Sequence, residues 1–287
     1  MAGAHTAVAP AGGGAGGAAH GGAAHGAGAR TEDGGGADYA VIQPRRRPEA
    51  LEVPVSAAPD STVEELPVRW RRSPRARRVS LRIDPREGTV VVTLPSRASR
   101  RTGLALLRDH ADWVARRLAA LPPTVALADG AAVMLHGRPH PIRHVPDGRR
   151  GVWVEADEIR VSGEPAFLPR RTADFLRAEA RKRLSALVKE VAGGRDGDTA
   201  LVPRRLSIRD TATRWGSCSA DRTVMFSWRL VMAPPEVQHY VVAHELAHLR
   251  HMDHGNRFWA LVERLTPHRA EAETWLRLNA ATLLRTG

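Results

Sequence analysis

The sequence predicts an α+β fold, with a β-rich N-terminal part ahead of a helical core. Three observations carry this. Between residues 68 and 94, apolar and polar side chains alternate with the period of two that a half-buried strand requires. From residue 172 onward, most apolar residues recur at the three- and four-residue spacing of helices. Along the chain the order is strands first, then a helix, a strand pair and closing helices, an order that suits an α+β core.

The N-terminal stretch stands apart from both. Thirteen of the 26 glycines fall within the first 40 of 287 residues, interleaved with alanine. Such a composition buries too little apolar surface to offset the entropy of ordering it. Residues 1–60 are therefore expected to be a disordered tail, continued by Pro44, Pro48, Pro54 and Pro59. His5, His20 and His25 read as polar punctuation within it. Residues 61–171 would then form the β-rich part of the folded region, and residues 172–287 its core. The opening has no basic segment followed by a continuous apolar stretch, so it does not read as a secretory signal. No run of eighteen apolar residues occurs, so no membrane span is expected. Cys218 is the sole cysteine, so no internal disulfide can form, which fits a cytoplasmic setting.

Within the first folded part, Val68–Trp70, Val79–Ile83 and Thr89–Leu94 are predicted strands. Asp84-Pro85-Arg86-Glu87-Gly88 supplies the turn that joins the last two as a hairpin. Ser99–Leu121 reads as a helix with Leu104, Leu107, Val114 and Leu118 inward. Val133–Leu135, His140–His144, Val152–Glu155 and Glu158–Val161 read as short strands, with turns at Gly137 and Asp147-Gly148. In the second part, Thr172–Val191 is a long amphipathic helix with Phe175, Leu176, Ala180, Leu184, Leu187, Val188 and Val191 as its stripe, closed by Gly193-Gly194. Strands follow at Arg205–Arg209 and Thr223–Leu230. Helices are predicted at Gln238–His251, Phe258–Leu265 and Ala270–Leu284.

The most specific chemistry lies in the Gln238–His251 helix. His244-Glu245-Leu246-Ala247-His248 is an H-E-x-x-H pattern. Helical residues four apart share a face, so His244 and His248 can hold one metal ion together. Catalytic zinc takes three protein ligands and keeps one open position. His254, six residues past His248, supplies the third from beyond the helix end. His251 would share the face of an unbroken helix, but ligands stacked along one straight helix surround an ion poorly. It reads as a helix-end residue or a partner to a ligand. Glu263, on the following helix, reads as an exposed carboxylate. Position 251 carries no glycine and no methionine follows Met252, which excludes a classical metzincin. With this motif the predicted core is zincin-like.

Three neutral histidines leave a Zn2+ ion its charge, so its bound water ionises near neutral pH, and Glu245 would take the proton. Manganese, nickel or cobalt suit the same ligands. Arg214 reads either as the group that holds an oxyanion or a phosphate of the substrate or as an arginine paired with a core carboxylate. Thr223–Leu230, if an edge strand, would pair with an extended peptide. Cys218 reads as a packed small side chain, and Trp215 and Trp259 as core or pocket-wall aromatics.

Three segments together, Arg214-Trp215-Gly216-Ser217-Cys218-Ser219, Tyr240–Leu249 and Asp253-His254-Gly255-Asn256-Arg257-Phe258-Trp259, resemble the YgjP-like metal-dependent hydrolases, relatives of the SprT-like and WLM-domain zinc proteases. The usual second motif reads approximately N-H-S-x-x-F-W. Asp253 and Gly255 depart from it, while His254, Phe258 and Trp259 match. The resemblance covers about residues 66–285. It implies zinc on His244, His248 and His254, Glu245 as catalytic base, and a peptide or protein substrate. It also implies an alternative, hydrolysis of UTP to UMP and pyrophosphate.

The formal charge is +12, and the sequence pI is about 11.3. Arg69, Arg71, Arg72, Arg75, Arg77, Arg78 and Arg82 form the densest basic cluster. It reads first as a solvated strand face and second as a weak nucleic-acid contact. The latter would suit a resemblance to SprT-like proteins, which act on proteins crosslinked to DNA.

Overall fold

The computed structural model describes residues 66–194 and 199–287. The tail expected over residues 1–60, with His5, His20 and His25, lies outside the described residues. The fold is mixed α+β, with three small sheets and, among the described residues, six α-helices. None of these helices is long and apolar enough to cross a membrane.

The first sheet has the order β1-β3-β2, from β1 (Val68–Ser73), β2 (Ser80–Asp84) and β3 (Thr89–Pro95). β2 and β3 form the expected antiparallel hairpin, and β1 runs parallel to β3. The helix expected over Ser99–Leu121 is instead two, α1 (Arg100–Asp109) and α2 (Ala111–Ala119). The chain leaves helical geometry at His110, with φ −121° and ψ 16°. α1 covers β2 and β3, and after the bend α2 continues along β2. Two short segments follow a small twisted sheet better than one straight rod. Leu107 and Val114 are buried in this small core with Val90, Val92 and Leu94, while Leu104, expected inward, is exposed.

The second sheet has the order β4-β5-β7-β6: β4 (Ala132–Leu135), β5 (Arg138–Val145), β6 (Val152–Glu155) and β7 (Glu158–Ser162). Its β4–β5 turn positions the region that matters most. His136 and Gly137 both have positive φ, 50° and 80°. Their N–H groups donate to Val231 and Met232 C=O at 2.9 and 3.1 Å, just ahead of the metal-motif helix. A Cβ on Gly137 would lie 2.8 Å from Pro234 Cα, so only glycine gives both the conformation and the approach.

α3 (Leu168–Ala192) starts four residues earlier than the pattern predicts. Pro169 falls in its first turn, where the missing N–H has no helical partner to lose. Its stripe, Leu176, Ala180, Leu184, Leu187, Val188 and Val191, is buried. It packs against α4 (Pro235–Ala247) and the 3-10 segment Trp228–Met232. α4 is buried on nearly every side beyond its first turn, Gln238, His244 and Glu245 included. α3, α5 (Asn256–Leu265), α6 (Arg269–Leu284) and a third sheet enclose it.

That third sheet has the order β8-β10-β9: β8 (Arg205–Arg209), β9 (Gly216–Cys218) and β10 (Thr223–Ser227). Two expectations are corrected here. The strand predicted over Thr223–Leu230 ends at Ser227, and the chain continues as the 3-10 segment. Nor is it an edge: β10 pairs with β8 on one side and β9 on the other, so its backbone cannot accept a further strand. Arg229, in the 3-10 segment, is buried against Asp210 and donates to Thr286 C=O at 3.2 Å. Asp210 also takes Arg86 of the β2–β3 turn at 3.0 Å. One carboxylate thus joins the first sheet's hairpin to the core.

Candidate metal centre

α4 ends at Ala247, earlier than the predicted His251, and His248 caps it. This shortening builds the site. Beyond it the chain turns through Leu249–Gly255 and returns at α5. The return brings His254 back onto the face that carries His244 and His248, as the sequence suggests. The three rings offer ligand atoms that all lie within 4.8 Å of one another. His244 Nε2 is 3.3 Å from His248 Nε2 and 3.3 Å from His254 Nε2. One N–H cannot serve both neighbours, whereas three lone pairs at this spacing suit a single cation.

Burial holds two of the imidazoles neutral. Burial pushes His244 well below the ordinary histidine value, helped by His248 and His254. Burial likewise lowers His248, to about 4, against the opposing pull of its bond to a carbonyl. That bond runs from His248 Nδ1 to His251 C=O at 2.9 Å. A carbonyl only accepts, so Nδ1 carries the proton and Nε2 is left with its lone pair. His251 thus acts through its backbone and not as a ligand. Glu263 pairs with Arg269 at 3.4 Å on the exposed side of α5 and is not in the cluster.

Glu245 is fully buried beside the cluster. Neither of its carboxylate oxygens has a hydrogen-bond partner among the described residues. Burial raises its pKa well above the carboxylate range, while the charge of Arg214 pulls it down. A buried carboxylate without a partner is expensive, and folds keep such groups where chemistry needs them. Arg214 therefore stands near enough to act on Glu245, from the loop ahead of β9. Cys218, in β9, is a buried thiol that burial and the Glu245 charge push up to about 12, so it packs and does not react.

Two residues of the site carry roles that motif reading leaves out. Gly216 lies directly on Glu245: a Cβ there would fall 2.5 Å from its Cγ and 2.6 Å from its Oε1. An isolated glycine in a strand signals such a close approach. Gly216→Ala is expected to displace the carboxylate and lower turnover about 10²-fold, the scale of a 1 Å misplacement, with metal content unchanged. Steady-state rates alongside metal analysis check this. Phe258 is the other. Its ring stacks on His248 at 4.4 Å and meets His244 and His254 edge-on at 4.9 and 4.8 Å. Trp259 walls the site, as expected, with Arg269 stacked 3.6 Å from its ring centroid. Trp215 is a core residue.

The arginine cluster of the first sheet is partly consumed by local bonds. Arg69 pairs with Asp84 and Glu87 at 2.9 and 2.8 Å, and Arg82 approaches Asp84 at 3.6 Å. Arg72 donates to Ser96 and Ala98 C=O.

A family model described as a YgjP-like metallopeptidase domain matches residues 77–279. The chain belongs to the YgjP-like family. The match spans the second and third sheets, β2 and β3 of the first, and five of the helices whole, and it contains the His244, His248, His254 cluster. Membership in the YgjP-like family makes the chain an enzyme of the hydrolase class and agrees with a metal ion on the three imidazoles. No curated protein and no solved structure matches it.

Proposed function

We propose that this chain is a zinc-dependent metallopeptidase with a zincin-like core. His244, His248 and His254 hold the ion and Glu245 is the general base. The observation that carries this is a cluster of three imidazoles, with His244 Nε2 3.3 Å from Nε2 of both His248 and His254, and a buried carboxylate one residue along the helix. Tetrahedral zinc with Zn–N of about 2.0–2.1 Å calls for nitrogens about 3.3–3.4 Å apart, which the two distances from His244 meet. When bound, such an ion supplies Lewis acidity, acidifying water and polarising the oxygen of the bond to be cleaved.

The chain's own residues do the rest. Glu245 has no competing hydrogen-bond donor among the described residues and a raised affinity for protons, so it accepts a proton from water and delivers it to the leaving amine. Arg214 keeps Glu245 from staying protonated and offers a cation to developing negative charge. Trp215 C=O and Ser219 N–H bond to β10 at 2.9 and 3.0 Å, which fixes β9, with Gly216 against Glu245, beside the base.

The test is metal removal. Chelation is expected to abolish cleavage of an unfolded protein substrate, and one equivalent of Zn2+ to restore it. Nucleotide hydrolysis is the second reading, favoured by the guanidinium of Arg214 beside the base. Pyrophosphate release from UTP without protein cleavage would transfer the assignment to it. Absence of both activities in zinc-loaded protein would sink the two readings together.

A further inference from the structure

The first sheet gathers at one end a set of charges that the linear sequence only half reveals. Strand register fixes which end. Ser73 of β1 lies beside Pro95 of β3, and Ser80 of β2 lies beside Thr93. The loop from β1 to β2, with Arg75, Arg77 and Arg78, therefore leaves the sheet where the loop from β3 to α1 leaves it with Arg97. α1 then opens on Arg100 and Arg101. Side chains tie the two loops together. Arg72 donates to Ser96 and Ala98 C=O at 3.0 and 3.1 Å, and the Arg100 guanidinium lies 4.8 Å from the Trp70 ring centroid. Two basic segments separate in sequence thus become one patch. Arg69 and Arg82, which sequence proximity groups with it, belong instead with Asp84 and Glu87 toward the other end.

Local carboxylates do not neutralise this patch. Residues 70–83 and 88–108 hold ten arginines and no Asp or Glu. Elsewhere the fold pairs its arginines: Arg86 with Asp210, Arg143 with Glu158 and Arg160 with Glu155. Among the described residues, Arg71, Arg75, Arg77, Arg78, Arg97 and Arg101 form no ion pair, and all six are exposed. The helix end adds to the imbalance. Ser99 caps α1 by accepting from Thr102 N–H at 3.2 Å, and the first turn holds no acidic residue. A helix N-terminus carries partial positive charge and favours anions, so Arg100 and Arg101 stand where the backbone disfavours them. Like charges crowded in this way also repel one another. An external polyanion offsets both costs.

We propose that this end of the first sheet is a nucleic-acid interface that grips the phosphate backbone without reading bases. Three features choose the partner. Every cation of the patch is a guanidinium, whose planar fork of donors matches phosphate. A patch this dense calls for a partner of matching charge density, and duplex DNA carries one charge per about 1.7 Å of its axis. An anionic membrane fits less well, because elements that lie on a bilayer insert apolar side chains. Among the described residues, Leu104 is the one large exposed hydrophobic side chain of the first sheet and its helices. Trp70 already stacks with Arg100, so the patch offers no ring to a base. The interface is independent of the metal centre, and its test involves no turnover.

Fluorescence anisotropy on the full chain tests this, with short labelled DNA duplexes of unrelated sequence as probes. Binding is expected at low salt and should be alike for the different sequences. The logarithm of the binding constant should fall linearly with the logarithm of salt at a slope of about −4 to −5, the counterion release of about five phosphate contacts. The triple variant Arg75→Gln/Arg77→Gln/Arg78→Gln is expected to weaken binding about 10²-fold and to flatten the slope by about 3. These side chains are exposed and form no ion pair among the described residues, so the variant should keep the thermal stability of the unaltered protein. Arg181→Gln/Lys189→Gln/Arg264→Gln, an equal charge change at exposed helix positions, should keep most of the affinity and the slope. Absence of binding at low salt overturns the interface, as does an equal loss in both triple variants. A marked preference for one sequence overturns backbone-only recognition. If phosphatidylserine vesicles or polyglutamate, at equal charge, displace the probe as well as unlabelled DNA does, the choice of partner is overturned.

Discussion

Glu245→Gln is expected to lower kcat about 10²–10⁴-fold, equivalent to about 3–5 kcal/mol of barrier, while the metal stays bound. The amide is nearly isosteric, so it fits under Gly216 where a longer or branched group would not. It cannot accept and return a proton. Nothing in the substitution touches the Nε2 atoms of His244, His248 and His254. Turnover measured together with bound-metal stoichiometry separates the two effects. Full activity in this variant would remove Glu245 from the chemistry, and loss of metal would recast it as a structural support.

Much of that site is legible in the sequence because its geometry is local. Helical periodicity alone places His244 over His248, and a break at Asp253 and Gly255 allows His254 to return. The ligand set needs no knowledge of distant residues. The strand order of the third sheet is different. Whether Thr223–Ser227 is a central or an outer strand depends on where Arg205–Arg209 and Gly216–Cys218 pair, and periodicity carries no pairing information. The role of Gly216 is hidden for the same reason, since its partner Glu245 is far along the chain. The strands of the first two sheets follow from alternation, as does the hairpin, but the bend at His110 does not. No proline or glycine marks it, and packing over a small sheet decides it.

Phe258→Ala is the second large effect. The ring is fully buried and touches all three histidines, so its loss leaves a cavity against them. Large-to-small changes of this kind cost about 3–5 kcal/mol. The histidine rings also lose the surface that fixes their tilt, and metal affinity is expected to fall about 10–100-fold, as when a ligand's support is removed. Phe258→Leu should recover most of the stability but less of the affinity, because a branched aliphatic chain fills volume without offering a flat face. Denaturant unfolding and metal titration on both variants test the split. A parallel recovery of the two quantities would reduce Phe258 to simple filling.

The enclosure of α4 gives the ligand set a kinetic asymmetry. His244 and Glu245 sit on a helix with core on every side, so their amides should exchange with solvent only when the whole domain opens. His254 sits on a turn whose neighbours Met252 and Asp253 are exposed. That turn can open alone, and amides there should exchange far sooner. Two of the proposed ligands therefore share the lifetime of the fold, while the third is expected to act as a latch. Ion exchange at the proposed site is then expected to proceed through that latch without unfolding the protein.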